Sequence, residues 1–218
     1  MNHNDFRQAA IANNPAWMQL LGLCPLLAVS NSVANATGLA LASAFVIIGS
    51  NTSISLLRRI IPQEARLPCF VLIIATFTTL TVMVLEAYAF DLYSRIALFV
   101  QIIVTNCMIL GRAEVFASRQ PVGRALMDAL GTAVGFALAL LALGAVREVL
   151  GQGTLLANMD MLFGQAAAQW QMTFFPAPLS LALLPPGAFI IAGLLFALAQ
   201  GLMNPSPKTH SNTQAETL

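Results

Sequence analysis

Residues 20–29 read LLGLCPLLAV, an apolar run with a cysteine at its middle. With its flanks the run covers only residues 17–29 and is broken by Gly22 and Pro25, whereas a helix that crosses a bilayer needs about 20 residues. Backbone of this kind is tolerated at membrane depth only where protein buries it, so a half-crossing or re-entrant segment is expected. A second interrupted run, IVTNCMILG at 103–111, also centres on a cysteine, Cys107.

Composition supplies the bilayer. Of 218 residues, 58% are hydrophobic and 9% charged, with a mean hydropathy of +0.78; soluble domains carry about 25% charged residues. The chain is expected to be an all-α integral membrane protein. A formal net charge of +1 gives neither a nucleic-acid footprint nor an acidic interaction tail. Arg7, offset by Asp5, is too little charge for the n-region of an export signal. Bulky Leu23 before Cys24, with apolar residues after it, argues against a lipid-modified cysteine. Three cysteines, Cys24, Cys69 and Cys107, cannot form a self-contained disulfide framework, and all lie in apolar runs. Packing as small hydrophobes accounts for Cys69.

Working outward, residues 1–14 form a polar aqueous arm leading to Trp17. After a polar turn at 30–37, a second segment at 38–57 carries Ala40, Ala42, Ser43 and Gly49, small residues that let helices approach closely. Asn51, Thr52, Ser53 and Ser55 near its end are read either as interhelical hydrogen-bonding groups or as ion ligands. A basic loop (Arg58, Arg59, Glu64, Arg66) precedes a third segment at 67–85, which ends at an aromatic interface around Glu86, Tyr88 and Phe90. The fourth segment, 96–110, is short and broken near Thr105 and Asn106. A second charged loop (Arg112, Glu114, Arg119, Arg124) leads to a fifth segment at 125–146 with Gly131, Gly135 and Gly144. Arg112 with Glu114, and Arg147 with Glu148, read as helix-end charges and local pairs; acids deeper in the spans are not expected. Glu86 and Asp91 read as solvated charges at the outer interface. Residues 147–178 suggest a long surface loop with one interfacial helix. The last segment, 179–203, carries a break at Pro185, Pro186 and Gly187, and 204–218 is a polar tail, expected to be disordered. The membrane domain is thus expected to span 15–203.

Charge sets orientation. With the N-terminus in the cytoplasm, Arg7, Arg58, Arg59, Arg66, Arg112, Arg119, Arg124 and Lys208 lie inside, and only Arg95 and Arg147 outside. Both termini are expected to be cytoplasmic.

Segments one and four, the short interrupted ones, hold equivalent places in two halves of three segments, about 15–90 and 91–203. Three crossings per half invert the second half relative to the first. Paired broken segments in inverted repeats point to a functional site near the midplane. Aligning Cys24 with Cys107 also pairs Leu27 with Leu110, Ala28 with Gly111 and Ala34 with Ala117. A pseudo-two-fold axis in the membrane plane would bring the two cysteines together. Coincidental placement of two core cysteines is one account; a soft-metal site (iron-sulfur, zinc or copper(I)) is the other. No His, Asp or Glu in either segment supplies further ligands, and two thiolates are half of what an iron-sulfur cluster requires. A homologous partner with two matching cysteines would complete it.

Taken together, LLGLCPLLAV, NATGLALA, NTSISLLRRIIP, EAYAF, IVTNC followed by GRAE, REVLGQGTL and LLPPGAFI resemble the E-subunit family of the Rnf (Rsx) ion-translocating electron-transport complexes. They are also similar to the homologous D subunits of sodium-pumping NADH:quinone oxidoreductases. The likeness covers roughly residues 15–200. It implies a six-helix subunit of the bacterial inner membrane, paired with a homologous A-type subunit of opposite topology and working with flavin and ferredoxin-like subunits. It further implies that Cys24 and Cys107 ligate a 2Fe-2S cluster shared with that partner, whereas Cys69 matches no family ligand. On this reading the chain is a non-autonomous subunit of a translocase, relaying electrons with coupled sodium or proton movement and no catalytic activity alone. The alternatives read from the residues are a secondary transporter with a midplane substrate site, in which the cysteines are packing residues, and a purely structural membrane subunit. The sequence shows no Rossmann fingerprint, nucleotide loop or covalent-flavin attachment site.

Overall fold

A computed structural model describes residues 19–88, 90–155, 172–173 and 184–203. The expected N-terminal arm, Trp17, most of the long loop after the fifth segment, the start of the last segment and the C-terminal tail lie outside the described residues. The architecture is helical. Helix α1 covers Leu23–Val29, α2 Val33–Leu57, α3 Arg66–Tyr88 and α4 Phe90–Gln101. A 3-10 turn at Ile102–Thr105 leads to α5, Cys107–Arg112, which runs into a π-helical turn at Ala113–Ala117. Helix α6 covers Val122–Gln152 and α7 Pro185–Met203. Thr154–Leu155 and Met172–Thr173 pair as a two-residue antiparallel ladder, Thr154 opposite Thr173.

Among the described residues, four stretches are long and apolar enough to cross a membrane: Val33–Leu57, Gln63–Tyr88, Phe99–Ala117 and Val122–Gln152. Helix α1, at seven residues and 1.5 Å per residue, is about 10 Å long and cannot. The short first segment is therefore present as expected. The fourth is interrupted at Asn106, also as expected, but it is not short: the helical run continues past residue 110, and Phe99–Ala117 is long enough to cross. Arg112 and Glu114 lie inside it, so the second charged loop shrinks to residues 118–121. Arg124 belongs to α6. Among the described residues the last helix begins at Pro185 and Pro186, where a missing N–H costs nothing and the fixed φ suits the first turn.

The core forms where α2 packs antiparallel on α6. Ala36 of α2 comes so close to Gly144 of α6 that a Cβ there would stand 3.2 Å from the alanine methyl. At the other end the Ser55 hydroxyl donates to the Gln120 carbonyl at 2.8 Å, and Arg58 donates to the carbonyl of Arg119 at 3.2 Å. The two basic loops therefore share one end of the molecule. The small residues Ala40, Ala42 and Ser43 are buried as their spacing predicted. Large apolar side chains of α3 and α7, such as Leu72, Met83, Ile190 and Leu194, face outward, as lipid or a protein neighbour requires.

Among the polar residues near the end of α2, Thr52 bonds its own helix at the Ile48 carbonyl and Ser55 reaches the loop before α6. Asn51 is fully buried, with no hydrogen-bond partner for either side-chain polar atom.

Acidic residues do occur within the spans, contrary to the sequence-based expectation. Helix α6 has 31 residues, about 46 Å at 1.5 Å per residue, and carries Asp128 and Glu148 at 3% and 0% exposure. Each is met by specific partners. Asp128 takes a two-pronged contact from Arg112, Nε to Oδ2 at 3.1 Å and Nη2 to Oδ1. Glu114 is thus not the ion-pair partner of Arg112. Arg112 also stacks on the Phe116 ring, 5.6 Å from its centroid.

At the far end of α6, Arg147 is buried inside the helix instead of standing in an outer loop. Its guanidinium Nη1 donates to the Leu27 carbonyl and the Ser30 hydroxyl, both at 2.9 Å. Glu148 accepts the Val33 N–H at 2.6 Å. A helix that stops inside a membrane protein strands carbonyls at its end and N–H groups at the start of the next. This adjacent cation and anion satisfy one of each across the α1–α2 turn. The fifth segment extends beyond Val146 because its charges belong to this clamp, and it ends instead at Gly153, whose left-handed φ of 67° closes the helix.

Two substitutions separate these terms. Asp128→Ala should destabilise the subunit by about 3 kcal/mol, since it strands the Arg112 cation in a largely buried place. Combining it with Arg112→Leu should recover most of that loss; thermal unfolding in detergent that shows additive losses would contradict the pairing. Glu148→Ala should cost about 2 kcal/mol by orphaning the Val33 N–H, and Glu148→Gln clearly less because an acceptor oxygen remains. The same melting assay reads both.

Candidate metal centre

The two interrupted runs meet where Gly22 of the first touches Cys107 of the second. The chain reaches α1 through two left-handed positions, Leu20 at φ 54° and Gly22 at φ 82°. The second of these aims a backbone N–H outward. That N–H donates to Cys107 Sγ at 3.2 Å, across 85 residues of sequence. Cys107 opens α5 directly after Asn106, whose Oδ1 accepts the Met108 N–H at 3.0 Å and so caps the helix. Asn in extended backbone before a helix is the ordinary cap arrangement, and it fixes where Cys107 begins.

Gly22 is confined on three sides. A Cβ at this position would stand 3.2 Å from Asn106 Oδ1, 3.3 Å from Met108 Cβ and 3.4 Å from Phe136 Cε2. Both the positive φ and the crowding demand glycine. Leu26 and Val29 of α1 and Met108 and Ile109 of α5 are buried in one core with Phe136, so each short helix is anchored by its apolar side.

Cys24 and Cys107 are both free thiols exposed on the surface of the chain, and Cys69, on α3, is partly exposed. Exposure runs against the reading of Cys24 and Cys107 as small core hydrophobes. Cys24, two residues beyond the Gly22 peptide that touches Cys107, also lines a cleft of about 330 Å³ with Leu27, Asn31, Arg147 and Phe189. The Arg147 cation thus forms part of the wall beside one thiol.

Among the described residues no group of three or more His, Cys, Asp or Glu side chains could hold a metal ion. The donor set is two sulfurs, one already accepting an N–H, with no oxygen or imidazole ligand beside them. Exposed thiols with backbone donors suit a soft iron-sulfur centre, and the count requires ligands from elsewhere.

The clamp of Arg147 and Glu148, the partner of Arg112 and the Gly22 contact were not read from the sequence. The signal for the first was available: an Arg-Glu dipeptide in a helix pattern that continues to Gly151 and Gly153. For the second it was Asp128 itself, an acid among apolar residues.

Comparison with known proteins points to one family. The family described as "Rnf-Nqr subunit, membrane protein" matches residues 3–196. A protein of Pseudomonas aeruginosa (strain LESB58), named as the E subunit of an ion-translocating oxidoreductase complex, is 52% identical over 204 residues, covering 91% of this chain and 86% of its own length. Proteins of the same name from Pseudoalteromonas atlantica and Thioalkalivibrio sulfidiphilus are 48% and 50% identical, over 89% and 85% of this chain and 86% and 82% of theirs. With the match running from the N-terminal arm through both cysteine segments into α7, the chain belongs to the Rnf-Nqr family of membrane subunits.

Proposed function

We propose that this chain is the E-type subunit of an ion-translocating oxidoreductase complex of the bacterial inner membrane, and that it relays electrons through a 2Fe-2S cluster. Cys24 and Cys107 supply two of the four ligands, and a homologous A-type subunit of opposite topology supplies the other two. The observation that carries this reading is the direct contact between the two interrupted segments, Gly22 N–H to Cys107 Sγ, with both thiols exposed on the surface of the chain. The names of the relatives support the assignment to a complex.

On this reading the six segments form two inverted repeats, with α1 and α5 as the paired half-helices and both termini in the cytoplasm. The shared end of the two basic loops supports the orientation. When bound, the cluster supplies one-electron transfer at membrane depth. This chain contributes two thiolate sulfurs, an N–H to one of them and the Arg147 cation in the cleft beside Cys24. The N–H and the cation favour the negative charge that the thiolates bring to the centre. The other partners are the flavin-bearing and ferredoxin-like subunits of the complex, and the coupled ion is sodium or the proton.

Replacing either ligand decides the matter. In the purified complex, Cys24→Ser and Cys107→Ser should each abolish the electron paramagnetic resonance signal of the shared cluster, whereas Cys69→Ser should leave it intact. An unchanged signal in both of the first two variants would sink the reading. Uptake of a solute by the chain alone in liposomes would favour a transporter instead.

A further inference from the structure

We propose that the Gly22 peptide N–H is a positioning residue for the redox centre: it holds the Cys107 sulfur and raises the reduction potential of the cluster that this sulfur ligates. The inference rests on the assignment of Cys107 as a cluster ligand. The contact is a 3.2 Å N–H···S bond between the residue that precedes α1 and the first residue of α5.

A backbone donor aimed at a thiolate sulfur is one of the levers that set an iron-sulfur potential. The electron taken up places negative charge on the cluster and its sulfur ligands, so an N–H donor stabilises the reduced state more than the oxidised one. No covalent bond forms or breaks in the step, and no proton moves; the electron comes from and goes to the neighbouring redox centres of the complex. Because binding free energies are reciprocal, the added electron also tightens the N–H···S bond. Here the donor belongs to the first half of the chain and the acceptor to the second, so the bond linking the halves is stiffest when the centre is reduced.

The surroundings fit a donor that must not drift. Gly22 holds its N–H outward through a φ of 82° that a side-chain-bearing residue adopts at a cost. Asn106 Oδ1, Met108 and Phe136 close around its Cα. Asn106 is itself held by the Met108 N–H, and Phe136 and Met108 are fully buried. The donor is therefore fixed by the same cap that starts the helix carrying its acceptor.

The test uses the complete complex from cells supplied with 15N-glycine, reduced with dithionite and examined by pulsed paramagnetic resonance, with midpoint potentials read by titration between dithionite and ferricyanide. In the unaltered complex a 15N coupling to the cluster is expected. Gly22→Asn, which tolerates the left-handed φ but carries a Cβ into the same crowding, removes the labelled nitrogen and should lose the 15N coupling, which assigns that coupling to Gly22. Gly22→Ala, strained at this φ, should lose the coupling and shift the potential downward. No 15N coupling in the unaltered complex, a coupling that survives in Gly22→Asn, or an unchanged potential in Gly22→Ala overturns the proposal. These failures are distinct from failure of the cluster assignment, which would appear as a signal that persists without Cys24 and Cys107.

Discussion

An interrupted helix inside a bilayer leaves backbone N–H and C=O groups that lipid cannot solvate, each costing several kcal/mol if unpaired. Everything distinctive about this chain follows from how those groups are met. The turn between α1 and α2 borrows its partners from α6: Arg147 for the Leu27 carbonyl and Glu148 for the Val33 N–H. Two full charges are buried for the purpose, which is tolerable because they are adjacent in sequence, opposite in sign and both hydrogen-bonded. The long helix α6 thus has a second task beside crossing the membrane, which is to hold a helix of seven residues in place.

The second interruption is handled locally. Asn106 caps α5 with its own side chain, and the helix then widens into a π turn in which the Ser118 N–H reaches back five residues to the Ala113 carbonyl. Single π turns occur often at functional sites, where an inserted residue re-aims its neighbours. Arg112, just before the turn, reaches Asp128 on α6, so α6 braces this half as well. The two interruptions, before α2 and before α5, are thus closed by different means. Their sequence likeness is accordingly confined to a few positions around the cysteines.

That contrast explains what was legible. Segment length and hydropathy reveal that 17–29 cannot span, and the position of Asn106 before Cys107 marks the second break; both depend on local composition. The reach of α6 to Gln152 was not legible in the same way, because a charged Arg-Glu pair resembles a helix end when its partners lie more than 100 residues away in α1 and α2. Asp128 is hidden by the same logic, its cation lying in another helix.

The cysteine runs show the limit most clearly. Sequence placed Cys24 and Cys107 as equivalent positions in two halves and left open whether they meet. The contact runs from Gly22, not Cys24, to the Cys107 sulfur, and the conformation of Gly22 is one that no apolar pattern encodes. A glycine beside a membrane cysteine is usually read as loosening the helix. At φ 82°, hemmed in by Asn106, Met108 and Phe136, this one is instead held rigidly, and its rigidity is what allows a backbone N–H to stand as a fixed partner for the Cys107 sulfur.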